Sequence, residues 1–338
     1  MGKRHKHLFE RIVAMDNLRE AYRLTARGKR GTYAYLEYKE HAEPRLAELH
    51  AALSAGTYTP EPPREFMVYE PKARSISALA FADRVAQHAL CRVIGPIFDH
   101  VLMGRCYACR DGRGTHAGVR AVQAELRRLG QADNGPAPEV YFLKTDFRQF
   151  FASIDRAALW REILRKISCP RTLALIERFT PRLGIGLPIG NLTSQLWANV
   201  YGHIFDRWLV TQRALHWHRY MDDVVVLGTS WRALADLLRR AEIFVRETMG
   251  LAFSRWMVAH ATRGVNFLGY RIWPTHKLLR RSSVTRARRT LRHFTRSADP
   301  DGRRNWLAAW SGHARWADSH NLLRSLHLLD YTAQPSTA

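Results

Sequence analysis

The chain has little of the chemistry that would place it outside a cell or in a membrane. Its 338 residues include only four cysteines, Cys91, Cys106, Cys109 and Cys169, too few to staple a chain of this length with disulfides. Cys106 and Cys109 have CxxC spacing, but no second Cys or His pair sits at zinc-finger distance, so ordinary buried thiols are expected rather than a structural zinc. No apolar run approaches the roughly 20 residues of a membrane span, and the basic start Met1–His7 is not followed by a signal-peptide apolar stretch. No internal repeat of roughly 20–50 residues is present. A reducing cytoplasm without a membrane partner is the expected setting. Acidic residues are also scarce, 30 Asp and Glu against 53 Lys and Arg, for a formal net charge of +23. That excess suits a polyanionic partner, most simply nucleic acid, held through phosphate contacts and counterion release. A protein that merely binds RNA would carry the same signature.

Apolar residues are not lacking. At 46% hydrophobic and 11% aromatic, the chain can bury a core and is long enough for two or three packed subdomains. Leu8, Ile12, Met15, Leu18 and Tyr22, and later Leu46, Leu49 and Leu53, recur at helical spacing over residues 8–53, interrupted by a basic turn at Arg27–Gly31. Thr59-Pro60-Glu61-Pro62-Pro63 breaks that pattern and opens an extended segment, Glu65 to Tyr69. Helical patterns follow over Ala80–Ile94, Ala157–Phe179, Ser194–Leu215 and Trp231–Met249. Val140–Leu143 and Val224–Leu227 read as buried strands. After Pro274 a dense basic stretch begins, and a subdomain boundary is expected there.

Two short stretches carry the chemistry. In Phe142-Leu143-Lys144-Thr145-Asp146-Phe147 an apolar strand ends in a carboxylate, and Tyr220-Met221-Asp222-Asp223 runs directly into an apolar strand. Acids at such positions can converge on one point. Their mutual repulsion is relieved by cations, and two Mg²⁺ ions held there would serve in-line phosphoryl transfer to a 3′-hydroxyl. The plainer alternatives are a hairpin turn for the Asp-Asp pair and a helix cap for Asp146.

Together these residues resemble the reverse transcriptases. Tyr220-Met221-Asp222-Asp223 is similar to their signature box, and Lys144–Asp155 to their first catalytic-aspartate block. Lys72–Ile76 with Phe81–His88 resembles the fingers block of bacterial retroelement enzymes, Tyr107–His116 the next block, and Val265-Asn266-Phe267-Leu268-Gly269-Tyr270 the primer-grip region. The blocks come in the family's order over residues 70 to 270. Gly186–Gln195 resembles the version carried by diversity-generating retroelements, with Ile189 where most reverse transcriptases have Gln, and Gln195 where they typically have Pro. The resemblance implies lowered fidelity opposite template adenine. A branched apolar side chain cannot make the polar contacts of Gln near the incoming nucleotide, so a misfitted pair is penalised less. In the plainer reading, Ile189 only packs under the fingers.

The resemblance implies an α+β, right-hand polymerase fold with fingers, a ferredoxin-like palm and a helical thumb. Residues 1–60 would be an N-terminal helical extension, 61–140 fingers (with 156–190 partly fingers and palm), 141–274 palm, and 275–338 thumb and C-terminal region. Asp146, Asp222 and Asp223 would be catalytic and, with Phe147, would hold two Mg²⁺ ions, with Mn²⁺ tolerated. Lys72, Arg74, Phe151, Ile189, Gly190 and Gln195 would meet the nucleotide, Arg74 as a planar donor to the triphosphate and Phe151 as a gate against the ribose 2′-hydroxyl. Phe267, Leu268, Gly269 and Tyr270 would grip the primer. Arg110, Arg113, Lys277, Arg280, Arg281, Arg286, Arg288, Arg289 and Arg292 would contact nucleic-acid phosphates, although a solvated basic face has the same composition. The chain departs from many members at Ser254-Arg255-Trp256, where they carry a lysine; an arginine is a poor proton donor because its pKa is too high.

No RNase H or endonuclease domain is expected after the thumb. The implied partners are therefore template-repeat RNA, the RNA–cDNA duplex, deoxynucleotides and a small basic, oligomeric accessory variability protein. The alternatives are a defence-associated or group II intron-like reverse transcriptase, and a catalytically idle RNA-binding protein on the same fold.

Overall fold

The computed structural model describes residues 4–69, 73–132, 136–294 and 299–328. Four helices open the chain, α1 (Phe9–Val13), α2 (Met15–Ala26), α3 (Tyr33–Glu40) and α4 (Ala42–Ala55). A hairpin of β1 (Arg64–Val68) and β2 (Arg74–Ala78) precedes α5 (Phe81–Asp99) and α6 (Thr115–Leu129). Strand β3 (Tyr141–Phe147) leads to α7 (Phe150–Ser153), α8 (Arg156–Leu164), α9 (Pro170–Phe179) and α10 (Leu192–Thr211). Then come β4 (Trp217–Tyr220), β5 (Asp223–Gly228), α11 (Trp231–Met249) and β6 (Phe253–His260). A second hairpin, β7 (Val265–Phe267) and β8 (Tyr270–Ile272), pairs with β9 (Lys277–Leu279), and α12 (Arg281–Phe294), α13 (Pro300–Ala314) and α14 (His320–Ser325) follow.

The chain forms two compact units, each assembled from separated stretches. One comprises residues 1–109, 147–213 and 241–254, the other 110–146, 214–240 and 255–338. In the first unit α2 and α10 both pack on α5. Phe81 of α5 sits among Tyr22, Tyr35 and Tyr38, and Phe147 stacks on Phe150 and Phe253. Asp155 caps α8 by accepting from the N–H groups of Ala157 and Ala158 at 2.8 and 3.2 Å, which satisfies donors that a helix start leaves open. In the second unit the core joins α6 (Val119, Val122, Leu126) to the sheet (Phe142, Val225, Leu227) and to Leu307, Ala314 and Leu323 of α13 and α14.

The main sheet has strand order β4-β5-β3-β6. With helices after β3 and between β5 and β6, this is the βαββαβ succession of a ferredoxin-like sheet. β5 is its best buried strand: Val224, Val225, Val226 and Leu227 are all at most 3% exposed, which explains an unbroken apolar run rather than an alternating one. Among the described residues no helix is long and apolar enough to cross a membrane.

Two stretches differ from expectation, one read from periodicity and one implied by the resemblance to a helical thumb. Ala157–Phe179 reads as one helix but forms α8 and α9, because Pro170 lacks the N–H that a helix interior needs and instead occupies the first turn of a new helix. Lys277 does not begin a helix. It starts β9, with Ile272↔Lys277 and Tyr270↔Leu279 in register. Burial of Leu279 on one side of the strand outweighs the helical spacing of the arginines, which takes hold only at Arg281.

Candidate active site

The register of β3 against β5 sets Asp146 opposite Asp223. On the other side of β5, Tyr220 pairs with Asp223 and closes the β4–β5 hairpin, leaving Met221 and Asp222 as a two-residue connection. All three acids therefore lie at one end of neighbouring strands. The turn is strained: Met221 has φ +53°, a left-handed conformation that a long side chain occupies at a cost of roughly 1–3 kcal/mol. Two features hold it there. Met221 is buried, and the fully buried Arg219 donates from Nη1 to the Met221 carbonyl at 3.3 Å.

Charge in the cluster is unevenly met. Lys144 Nζ donates to Asp223 Oδ1 and, at 3.2 Å, to the Thr145 carbonyl. Residues 144 and 146 are two apart and share a face of the strand, which is the sequence signal that could have assigned Lys144 a role. Burial pushes the Asp223 carboxyl upward, opposed by the charges of Lys144 and Arg280. Asp222 is also pushed up, to about 6, first by burial and then by the charge of Asp146. Buried carboxylates that repel one another and offer hard oxygen donors suit Mg²⁺. The protein cage is incomplete: among the described residues no group of three or more His, Cys, Asp or Glu is arranged to hold a metal by itself. Phe147 offers such an ion no side-chain donor, since its ring is core; only its main-chain carbonyl could serve.

The first unit gathers other sequence-predicted residues. The loop before α10 is fastened by four hydrogen bonds: Gly186 N–H to the Ile154 carbonyl at 2.8 Å, Leu187 N–H to the Phe151 carbonyl at 2.8 Å, Ser77 N–H to the Ile189 carbonyl at 2.8 Å, and Leu192 N–H to Gln87 Oε1 at 3.0 Å. Phe151, Ile189 and the strand that carries Arg74 are thereby tied together. Gly190 has φ +114°, and a Cβ there would lie 2.9 Å from the Ser77 carbonyl oxygen, so the loop can approach β2 only with glycine at this position. Gln195 accepts from Cys109 Sγ at 3.4 Å, and Cys106 Sγ donates to Asn199 Oδ1 at 3.3 Å, so both CxxC thiols face polar side chains of α10. Lys72 lies outside the described residues.

In the second unit Phe267 and Tyr270 pair across the β7–β8 turn. Leu268 and Gly269 have φ +50° and +91°, as a two-residue primed turn demands. Arg281, Arg286 and Arg289 line a cavity of about 460 Å³ on α12; Arg288 and Arg292 are exposed beside them, while Ala287 turns inward. Arg110 and Arg113 lie in the loop before α6, the N–H of Arg113 donating to the Arg110 carbonyl at 3.2 Å.

A ferredoxin-like sheet bearing three aspartates at its strand ends defines a palm of the right-hand polymerase class. The family profile described as Reverse transcriptase (RNA-dependent DNA polymerase) matches residues 65–272, more than half of the chain, and the chain belongs to that family. It is 24% identical over 324 residues to protein YkfC of Escherichia coli (strain K12), covering 80% of this chain and 83% of that protein. It is 24% identical over 182 residues to the group II intron-encoded protein LtrA of Lactococcus lactis subsp. cremoris, covering 50% of this chain and 29% of that protein. Among solved structures it is similar to telomerase from Candida albicans, with TM-score 0.46 and 10% identity, over 73% of this chain and 50% of that one. Apo telomerase from Candida tropicalis gives TM-score 0.49 and 9% identity, over 72% and 54%. The chain thus spans about half of these telomerase chains and under a third of LtrA.

The pKa of Asp222 has a measurable consequence. A carboxyl whose folded pKa lies above its unfolded value, about 4, holds its proton more tightly when folded. Stability therefore falls as pH rises from about 4 to about 6 and stays lowered above that. In metal-free buffer at about pH 8, Asp222→Asn is expected to melt higher than wild type, with the gap closing as pH drops through about 6. Lys144→Met, which removes a charge that favours ionised Asp222, is expected to move that midpoint upward. Calorimetric melting across this range checks both, and a gap independent of pH would exclude Asp222 as the titrating group.

Proposed function

We propose that this reverse transcriptase copies template-repeat RNA into adenine-mutagenised cDNA within a diversity-generating retroelement, with Asp146, Asp222 and Asp223 as its catalytic carboxylates. The observation that carries the catalytic part is the β3–β5 register, with Asp146 opposite Asp223 and Asp222 beside it in the turn. In this reading Asp146 and Asp222 hold divalent cations, Mg²⁺ with Mn²⁺ tolerated, and Asp223 shares the cluster while bonded to Lys144. When bound, Mg²⁺ supplies charge neutralisation at the primer 3′-hydroxyl and at the leaving pyrophosphate.

The remaining roles follow residue by residue. Arg74, with Lys72, receives the triphosphate; Phe151 excludes a ribose 2′-hydroxyl; Ile189, Gly190 and Gln195 border the nucleotide. The β7–β8 turn grips the primer. Arg110, Arg113, Lys277, Arg280 and the arginines of α12 hold the duplex by its phosphates, which reads shape rather than sequence. Residues 61–140 act as fingers, 141–274 as palm and 275–338 as thumb, after an N-terminal extension over 1–60. A small basic accessory protein completes the set of partners. A second reading, a group II intron-like enzyme, is favoured by the match to LtrA over 50% of the chain. The Ile189 and Gln195 pair supports the retroelement instead.

Primer extension on an RNA template with Mg²⁺ and four deoxynucleotides tests the reading. Asp222→Ala should lower the rate by more than about a thousandfold, as loss of a catalytic group does; a variant equal to wild type would leave an idle RNA-binding protein. Wild-type errors should cluster opposite template adenine and decline in Ile189→Gln, whereas errors spread evenly over the four template bases would remove the adenine-specific role and favour the intron-like reading. Phe151→Ala should admit ribonucleotides at least about tenfold more readily, measured as the ratio of kcat/KM for the two sugars.

A further inference from the structure

The hydroxyl of Tyr270, the last residue of the β7–β8 turn, is the centre of a closed hydrogen-bond knot. The residue is 0% exposed, and its oxygen lies 2.9 Å from the His313 carbonyl oxygen, 2.9 Å from His313 Nδ1 and 3.2 Å from His116 Nε2. A phenol has one hydrogen to give and two lone pairs to fill. The carbonyl can only accept, so the phenol hydrogen goes there, and both imidazoles must donate to the phenol oxygen. His313 is then the Nδ1–H tautomer and His116 the Nε2–H tautomer. Burial favours the neutral form of all three rings: it holds both histidines below their ordinary pKa and pushes Tyr270 up to about 12. Every bonding position of the hydroxyl is used.

The knot joins three separate parts of the second unit: the first turn of α6 through His116, the β7–β8 hairpin through Tyr270, and the last turn of α13 through His313. His116 is itself braced, its ring stacked on Trp316 at 4.0 Å and 16°, with the Arg120 guanidinium 5.1 Å from the centre of the Trp316 ring. The turn is pinned from two further directions. A Cβ on Gly269 would stand 3.2 Å from His313 Cε1, and Arg280 N–H donates to the Gly269 carbonyl at 3.0 Å. Arg280 also supplies charge that favours ionised Asp223, so one residue links the turn to the acid cluster.

A phenylalanine would fill this core position without needing polar partners, and a buried hydroxyl is tolerated only when fully bonded. What three bonds add to packing is a single orientation for the main chain of Leu268 and Gly269. We propose that His116 and His313, acting through Tyr270, are positioning residues that fix the Leu268–Gly269 turn where it receives the primer strand. The proposal rests on the reading of that turn as the primer grip. It also gives the block ending at His116 and helix α13 a part in the reaction. Small misplacements of a reacting end are costly in rate, so a rigid turn matters more for the primer than for the nucleotide.

The test uses the full chain, an RNA template annealed to a labelled DNA primer, and three readouts: primer–template Kd by anisotropy without nucleotides, steady-state KM for primer–template and for deoxynucleotide, and melting temperature. Tyr270→Phe, His116→Ala and His313→Ala should each raise Kd and KM for primer–template by about tenfold, the scale of one buried hydrogen bond to two, with the deoxynucleotide KM unchanged. His313→Asn and His116→Gln keep a side-chain N–H near the lost nitrogen and should recover most of the loss. Variants that melt as wild type does and keep wild-type Kd and KM would overturn the proposal, as would a loss that follows melting temperature and is not rescued. A wild-type chain that binds no primer–template, or Tyr270 variants that shift the deoxynucleotide KM alone, would instead overturn the primer-grip reading on which the proposal rests.

Discussion

The antiparallel register between β3 and β5 is the constraint on which the rest of the candidate site depends. A strand alternates its faces with a period of two, so a slip of one residue would turn Asp146 away from Asp223 and expose the apolar face of β3. The slip is opposed by burial on both strands. Phe142 and Leu143 on β3 and Val224 to Leu227 on β5 are all at most 3% exposed, and each apolar side chain of this size is worth about 1.5–3 kcal/mol when removed from water. The carboxylates are thus held together not by attraction, since they repel, but by the core beneath them.

What the core forces together, nearby cations make tolerable. Lys144 bonds Asp223, Arg280 adds its charge to the same carboxylate, and Arg219 secures the turn that carries Asp222 from below. Lys144 also favours ionised Asp222, but burial and the neighbouring charge of Asp146 outweigh it and raise the proton affinity of that carboxyl.

Strain recurs at both functional hairpins. Met221 in the first and Leu268 in the second adopt left-handed backbone conformations that residues with long side chains usually avoid. Each is held by polar contacts, Arg219 of β4 under Met221, and the Tyr270 knot with Arg280 around Leu268 and Gly269. In the first unit the loop over residues 186–191 is shaped by the same means, three main-chain hydrogen bonds, one more to the Gln87 side chain, and a glycine that alone can approach Ser77. Positions where local preference loses to tertiary contacts are where chemistry is expected to be found.

The sequence by itself determined the local and ordered parts of this protein: the basic charge, the apolar strands that end in Asp146 and begin after Asp223, the order of the family's blocks, and hence the family and its fold. These were legible because strand burial, turn composition and charge are written in neighbouring residues. Tertiary structure decided what depends on residues far apart in the chain. The partnership of Lys144 with Asp223 spans strands, Arg219 looks like an ordinary strand arginine until its full burial is seen, the break at Pro170 was hidden under a helical periodicity, and the strand at Lys277 lay in a basic stretch that the resemblance assigns to a helical thumb. The meeting of His116, Tyr270 and His313 could not be read from sequence at all. Hydrogen bonds of this sort have no period and no composition, and arise only when packing brings one donor and one acceptor within about 3 Å in a buried space.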